Sequence, residues 1–227
     1  MTGSLIKNDG AGTAGFDGVN ISGAWFAFLV ACFFLNDFVF IMWSGTSTLY
    51  LADYVIRIII IGLCLGLPLS RQVALNSISD QKLPLILIII LIPLLTGIER
   101  ASHIIIEPAI IDAVGYTGLF YFGRIDSSAL YAFDMMIGLA LVAVSEELVF
   151  RKFALNWMRS RGMSALAIIL LSAALFALMH WGSGLHRIAA TFVFGVIAMA
   201  FHLRHTRLLP LITAHYLANF IAFADFD

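Results

Sequence analysis

Residues 129–151 read ALYAFDMMIGLALVAVSEELVFR, and this stretch decides the fold. It is apolar apart from Asp134 until Ser145, and then meets Glu146, Glu147 and Arg151 in quick succession. A hydrocarbon core about 30 Å thick is crossed by a helix of about 20 mostly apolar residues. The stretch has that length, so it reads as a membrane span whose far end carries two adjacent carboxylates. Outward from it, comparable runs lie at 23–43, 54–70, 83–98, 163–181, 187–203 and 208–224. The expectation is an all-α polytopic transmembrane helical bundle of about seven spans. Composition agrees: 61% of the 227 residues are hydrophobic and 12% charged, where a soluble domain carries about 25% charge. A net charge of -1 offers no basic face for phosphates, so nucleic acid is not an expected partner. Cys32 and Cys64 sit alone in apolar runs and read as small packing residues.

Three regions follow along the chain. Residues 1–22 hold Lys7, Asp9 and Asp17 and read as an extramembrane tail, without the pattern of a cleaved signal peptide. Residues 23–126 read as N-terminal transmembrane and interfacial segments. Within them, 83–98 is short and holds Pro84 and Pro93, as expected of a tilted, broken or re-entrant segment. The mixed stretch 99–128 fits an interfacial amphipathic piece. Residues 127–227 form the remaining part. Arg71, Lys82, Arg159, Arg161, Arg204 and Arg207 share a side with the N-terminus, which favours N-terminus in and C-terminus out. Trp43, Trp157 and Trp181 near segment ends fit interfacial anchors.

Ionisable groups within spans are costly and point to function. Glu146 and Glu147 are adjacent, so they face about 100° apart on a helix and have different surroundings. Glu147 and Arg151 stand at i and i+4 with the acid first, the favoured order for an ion pair. That leaves Glu146 on another face without a local partner, where a carboxylate suits the role of base. Phe176 and His180 are one turn apart at the end of 163–181, and His215 and Asn219 are one turn apart in 208–224. Taken singly, each cluster has a structural explanation in solvation or interhelical hydrogen bonding. Taken jointly, Glu146 and His180 fall at similar depth on the two arms of a helical hairpin turning near residues 159–163. Asn36 and Asp37 read as a helix–helix hydrogen bond or kink. Asp134 lies near the start of its span, and His103, His186, His202 and His205 lie near segment ends, where solvation is the simple account. His186 and Arg187 follow His180 closely enough to line a site entrance.

The motifs Glu146-Glu147-xxx-Arg151, Phe176-xxx-His180 and His215-xxx-Asn219, in this order, resemble those of the CPBP intramembrane proteases, which include CAAX proteases and bacteriocin-processing or Abi proteins. The resemblance covers about residues 127–224. It implies a four-helix catalytic core in 127–227 and an intramembrane endopeptidase. Glu146 with His180 would activate water, His215 and Asn219 would stabilise the oxyanion, and Glu147, Arg151 and Phe176 would support them. It further implies a membrane-associated protein or peptide substrate, such as a C-terminal tail or a leader, amid membrane lipids. The short chain resembles bacterial members, which implies a multi-pass place in the cytoplasmic (inner) membrane.

No cofactor is expected, because the histidines lack the H-E-x-x-H arrangement of a zinc protease. A Zn2+ site of two His and one Glu stays open as the alternative. Two further readings differ in kind: a non-catalytic immunity or partner-binding protein of the same fold, and a transporter, against which the absence of matching halves argues.

Overall fold

In a computed structural model, residues 19–42, 46–75, 84–119 and 123–224 are described, and among them the chain is all helix. Eight helices follow in order: α1 (Gly23–Met42), α2 (Thr46–Gly66), α3 (Pro68–Leu75), α4 (Leu85–Val114), α5 (Ser128–Ser160), α6 (Ala165–Leu178), α7 (Leu185–His205) and α8 (Leu209–Phe223). Helices α2, α4, α5 and α7 are long and apolar enough to cross a membrane, while α1, α6 and α8 are apolar but shorter. With Leu85, Ile89, Ile104 and Ile105 all exposed on the outer face, the bundle is that of an integral membrane protein. Trp43, Lys82 and the tail up to residue 18 lie outside the described residues.

The largest departure from the sequence reading is α4. The segment 83–98, expected to be tilted, broken or re-entrant, and the first part of the stretch 99–128, expected to be interfacial, are one unbroken helix of 30 residues, entered at Pro84, holding Pro93 and Pro108, and ended by Gly115 at φ 81°. Proline removes one backbone donor and bends a helix, but packing against neighbours compensates inside a membrane bundle. Here Thr96 supplies one tie, its hydroxyl donating to Ile92 O (2.9 Å) and across to Ala214 O of α8 (3.2 Å).

Helix α5 starts on Ser127, whose hydroxyl accepts from Leu130 N at 3.3 Å, and runs to Ser160 with two π-helical stretches at Asp134–Gly138 and Leu148–Phe153. Such stretches leave carbonyls without their usual i+4 partner and recur at functional sites. One of them, Phe150 O, accepts from Ser172 Oγ of α6 at 2.5 Å. Gly162 at φ 68° then reverses the chain into α6, which Ser164 caps. A 3-10 turn, Trp181–Ser183, and Gly184 at φ 104° lead into α7, and Thr206 at φ 52° ends it before Pro210 opens α8.

Helix α7 packs along both α6 and α4, α8 packs on α4 and α5, and α2 joins α1 to α5. The α6–α7 contact depends on Gly195: a methyl built there would lie 3.0 Å from Ala173 Cα and 3.3 Å from Phe176 Cδ1. Small residues permit such close approach in membranes. Gly195→Leu is therefore expected to cost about 1–3 kcal/mol by overpacking, seen as a lowered thermal midpoint in detergent. Both cysteines are free and buried, as their apolar surroundings imply.

Candidate active site

The three sequence clusters converge on one cavity of about 280 Å³, lined among others by Glu146, Phe176, His180, His215 and Asn219. Glu146 and Glu147 end the α-helical turn before the second π stretch of α5, and both are buried. Their adjacent positions send them to different partners. Glu147 Oε2 lies 3.1 Å from Arg151 Nε, the i, i+4 ion pair, with both side chains fully buried. Its other oxygen, Oε1, lies 3.1 Å from His215 Nδ1 on α8. An ionised carboxylate only accepts, so this contact assigns a proton to Nδ1. His215 Nε2 faces two more carboxylates, Glu146 Oε2 and Glu99 Oε1, each at 3.7 Å.

Glu146 has no local partner on its own helix, as its position implied, but a distant one meets it. Its Oε1 accepts from Arg57 Nη1 of α2 at 2.8 Å, and the same Nη1 reaches Ser145 Oγ at 3.1 Å. Arg57 Nε in turn donates to Asp53 Oδ2 at 2.7 Å, and Asp53 Oδ1 accepts from Asn36 Nδ2 at 2.6 Å. The helix–helix hydrogen bond anticipated for Asn36 is thus the far end of a chain running α1–α2–α5. Glu146 Oε2 is buried and has no hydrogen-bond partner. One oxygen of Glu146 is held and the other is available.

His180 follows the end of α6 and has Nδ1 3.0 Å from Phe176 O. A carbonyl accepts, so Nδ1 carries the proton, and in the neutral ring Nε2 is the acceptor. Phe176 is the hub of the motif side chains. Arg151 Cζ sits 4.4 Å from its ring centroid, and the rings of His180 and His215 stand edge-on to it at 5.3 and 6.2 Å. Asn219, one turn after His215, is half-buried at the cavity wall, and its side chain makes no hydrogen bond among the described residues.

The structure adds residues that the sequence reading passed over. Arg57 and Asp53 line the cavity from α2 and Glu99 from α4. Arg57 lies within the expected span 54–70, so the rule that singled out Glu146 applies equally to it. Glu99 was hidden in the stretch taken as interfacial. Three histidines read as solvated, His103, His186 and His202, are otherwise placed, and Asp134 near the start of its span is buried. Asp134 is buried and accepts from Tyr54 OH at 2.7 Å, His202 is fully buried, and His103 Nδ1 lies 2.6 Å from Glu107 Oε1. His186 and Arg187 do line the cavity, as their spacing from His180 allowed. Among the described residues, no three His, Cys, Asp or Glu side chains are grouped as a metal site requires.

A helical membrane bundle with buried carboxylates and imidazoles around one cavity has the parts of an intramembrane hydrolase. Residues 128–221 match the model of a family described as type II CAAX prenyl endopeptidase, Rce1-like. That match spans all three motifs, bears out the resemblance to the CPBP/CAAX proteases, and supports a CAAX-type intramembrane endopeptidase in general. A lipid environment and a membrane-associated peptide substrate come with that class. No curated protein and no solved structure matches the chain.

Proposed function

We propose that this protein hydrolyses a peptide bond near the terminus of a membrane-associated protein or peptide, using water activated by Glu146 and His180. The observation that carries this reading is the asymmetry of Glu146. Arg57 holds Oε1, while Oε2 is buried, without a hydrogen bond, and 3.7 Å from His215 Nε2. A base must be fixed in place and still have a free lone pair at the reacting atom. In this mechanism Oε2 takes the proton of the attacking water, and His180 Nε2 accepts the water's second hydrogen bond and orients it. The tetrahedral oxyanion is met by Asn219 Nδ2 and His215 Nε2. Because Nδ1 of His215 is committed to Glu147, donation from Nε2 uses the imidazolium, whose charge Glu99 and Glu146 balance. Glu146 then returns its proton to the leaving amine, and the C–N bond breaks.

Glu147 and Arg151 act as support: Glu147 fixes the His215 ring, and Arg151 neutralises Glu147 while covering Phe176. The functional core of residues 127–227 is completed by Arg57 and Glu99 from 23–126. Placement in a bacterial cytoplasmic membrane with seven passes is the setting we propose, with α1, α6 and α8 as the shorter spans.

Two tests address the chemistry. Asn219→Ala is expected to lower turnover about 10²–10³-fold, the usual effect of losing one oxyanion donor, with little change in KM. Retained turnover would remove Asn219 from the site. A strong zinc chelator is expected to leave cleavage unchanged, since the donors are not grouped as metal ligands. Loss of activity that zinc restores would instead make His180, His215 and a glutamate a metal site.

A further inference from the structure

The cavity is polarised. Asp53, Asp134, Glu99 and Glu146 line it from α2, α4 and α5, while Asp37 of α1 lies against the Gly182 backbone in the turn before α7. At the start of α7 the lining changes to Ser183, His186 and Arg187, with His103 and Tyr116 beside them. This second end is the outer one: the Arg187 side chain is 38% exposed, against 2% for Glu146. We propose that it is a carboxylate-binding subsite that receives the free C-terminal carboxylate of the peptide substrate. The proposal rests on the endopeptidase reading and adds to it how the substrate is oriented.

Four observations build the subsite. Arg187 Nη1 is anchored 3.1 Å from both Glu107 Oε1 and His103 Nδ1, which leaves its Nε and Nη2 edge without a partner among the described residues. Such an edge matches a carboxylate with two parallel hydrogen bonds. His186 is 6% exposed, and its Nδ1 is buried without a hydrogen-bond partner while the ring lines the cavity. Its ring centroid lies 5.0 Å from that of Tyr116, which holds the imidazole in place. Gly184 at φ 104° turns the chain so that α7, a helix of 21 residues, begins at this wall. The Leu185 N–H goes to Thr117 Oγ1 at 2.8 Å. Those of His186 and Arg187 belong to the first turn, where amides lack intrahelical acceptors and favour anions.

Glu107 does not defeat the subsite. Its charge is matched by Arg187, and the histidines, Ser183, Tyr116 and the helix start add donors without adding negative charge. Asp37, beside Gly182, is the one other carboxylate near this end; the cluster of Asp53, Asp134, Glu99 and Glu146 repels a second anion, so the Arg187 end is the favourable one for a peptide terminus. With its carboxylate there, the chain runs inward toward Glu146 and His215, and cleavage falls a short, fixed number of residues from the terminus.

The test uses two farnesylated peptides ending in Cys-aliphatic-aliphatic-X, identical except that one ends in a free acid and the other in an amide. Cleavage by the full-length wild type and binding to Glu146→Gln are measured for both in the same lipid vesicles. The acid is expected to be preferred about 10-fold or more, the range of a charge-assisted hydrogen bond. Arg187→Gln is expected to bring the acid-to-amide ratio close to one. Arg187→Lys, which keeps the charge but not the forked edge, should keep a reduced preference. Equal handling of acid and amide by the wild type, or an undiminished preference in Arg187→Gln, overturns the subsite and leaves the endopeptidase standing. If the wild type neither binds nor cleaves either peptide, the endopeptidase reading for this substrate class fails, and the subsite with it.

Discussion

Glu146→Gln is expected to lower peptide cleavage by about 10²–10⁴-fold, the contribution of a positioned general base. Glutamine has the same shape, and its amide oxygen can still accept from Arg57 Nη1, the contact now made at 2.8 Å. What it loses is the lone pair on the second oxygen, which lies toward His215 without a hydrogen bond of its own. The loss should therefore fall on turnover and leave the fold in place. The measurement is single-turnover cleavage of a membrane-tethered peptide in vesicles, paired with a thermal midpoint for the same preparation. Glu147→Gln should behave differently. Glu147 bridges the fully buried Arg151 and His215 Nδ1, so its loss strands a buried cation and lowers stability as well as rate. If Glu146→Gln turned over at the wild-type rate, the base has been assigned to the wrong residue.

The second large effect is predicted for Arg57. Its guanidinium serves two buried carboxylates, Asp53 at 2.7 Å and Glu146 at 2.8 Å. Removing one partner of a buried ion pair typically costs about 3–5 kcal/mol, because the other charge is left uncompensated. Arg57→Ala strands two such charges, so its loss of stability should reach at least that range, with cleavage abolished. Arg57→Lys separates the two roles. Lysine keeps one positive charge but presents a single ammonium where the guanidinium uses Nε for Asp53 and Nη1 for Glu146 and Ser145. It should recover much of the stability and little of the activity, as expected of a residue that positions the base. Unfolding in detergent and turnover in vesicles read the two quantities separately. A fully stable Arg57→Ala protein would mean that the chain from Asn36 through Asp53 to Glu146 is not formed.

The features that were legible in the sequence are local ones. The length of the apolar run 129–151, the i, i+4 pairing of Glu147 with Arg151, and the one-turn spacing of Phe176 with His180 and of His215 with Asn219 depend only on helical geometry. The meeting of Glu146 and His180 followed from their shared depth in an antiparallel hairpin; His215 and Asn219 were joined to them by the resemblance. Arg57 and Glu99 were not found, because their partners are distant in sequence and their roles arise only from packing. Helix α4 was misread for a specific reason. A hydropathy average over 99–112 mixes two faces: Glu99 and His103 line the cavity and Glu107, four residues on, meets His103, while Ile104 and Ile105 point outward at 63% and 67% exposure. Read as a helix face instead of an average, the same residues predict a span with a polar inner stripe. The two π-helical stretches of α5 had no visible sequence cue; the second is recognisable only through the Ser172 hydroxyl that takes up the Phe150 carbonyl.

Arg57 also changes how the first half of the chain is understood. Sequence resemblance and the family match both begin near residue 128. Yet α2 supplies the guanidinium that fixes Glu146, and α4 supplies a carboxylate facing His215 Nε2. The motif helices alone would leave Glu146 unanchored.

The most direct test of the central claim compares wild type, Glu146→Ala and His215→Ala in vesicles, with membrane-tethered CAAX-type peptides as substrates and mass spectrometry of the products. A defined cleavage near the peptide terminus is expected from the wild type, and none from either folded variant. Cleavage by both variants at the wild-type rate and position would contradict that claim.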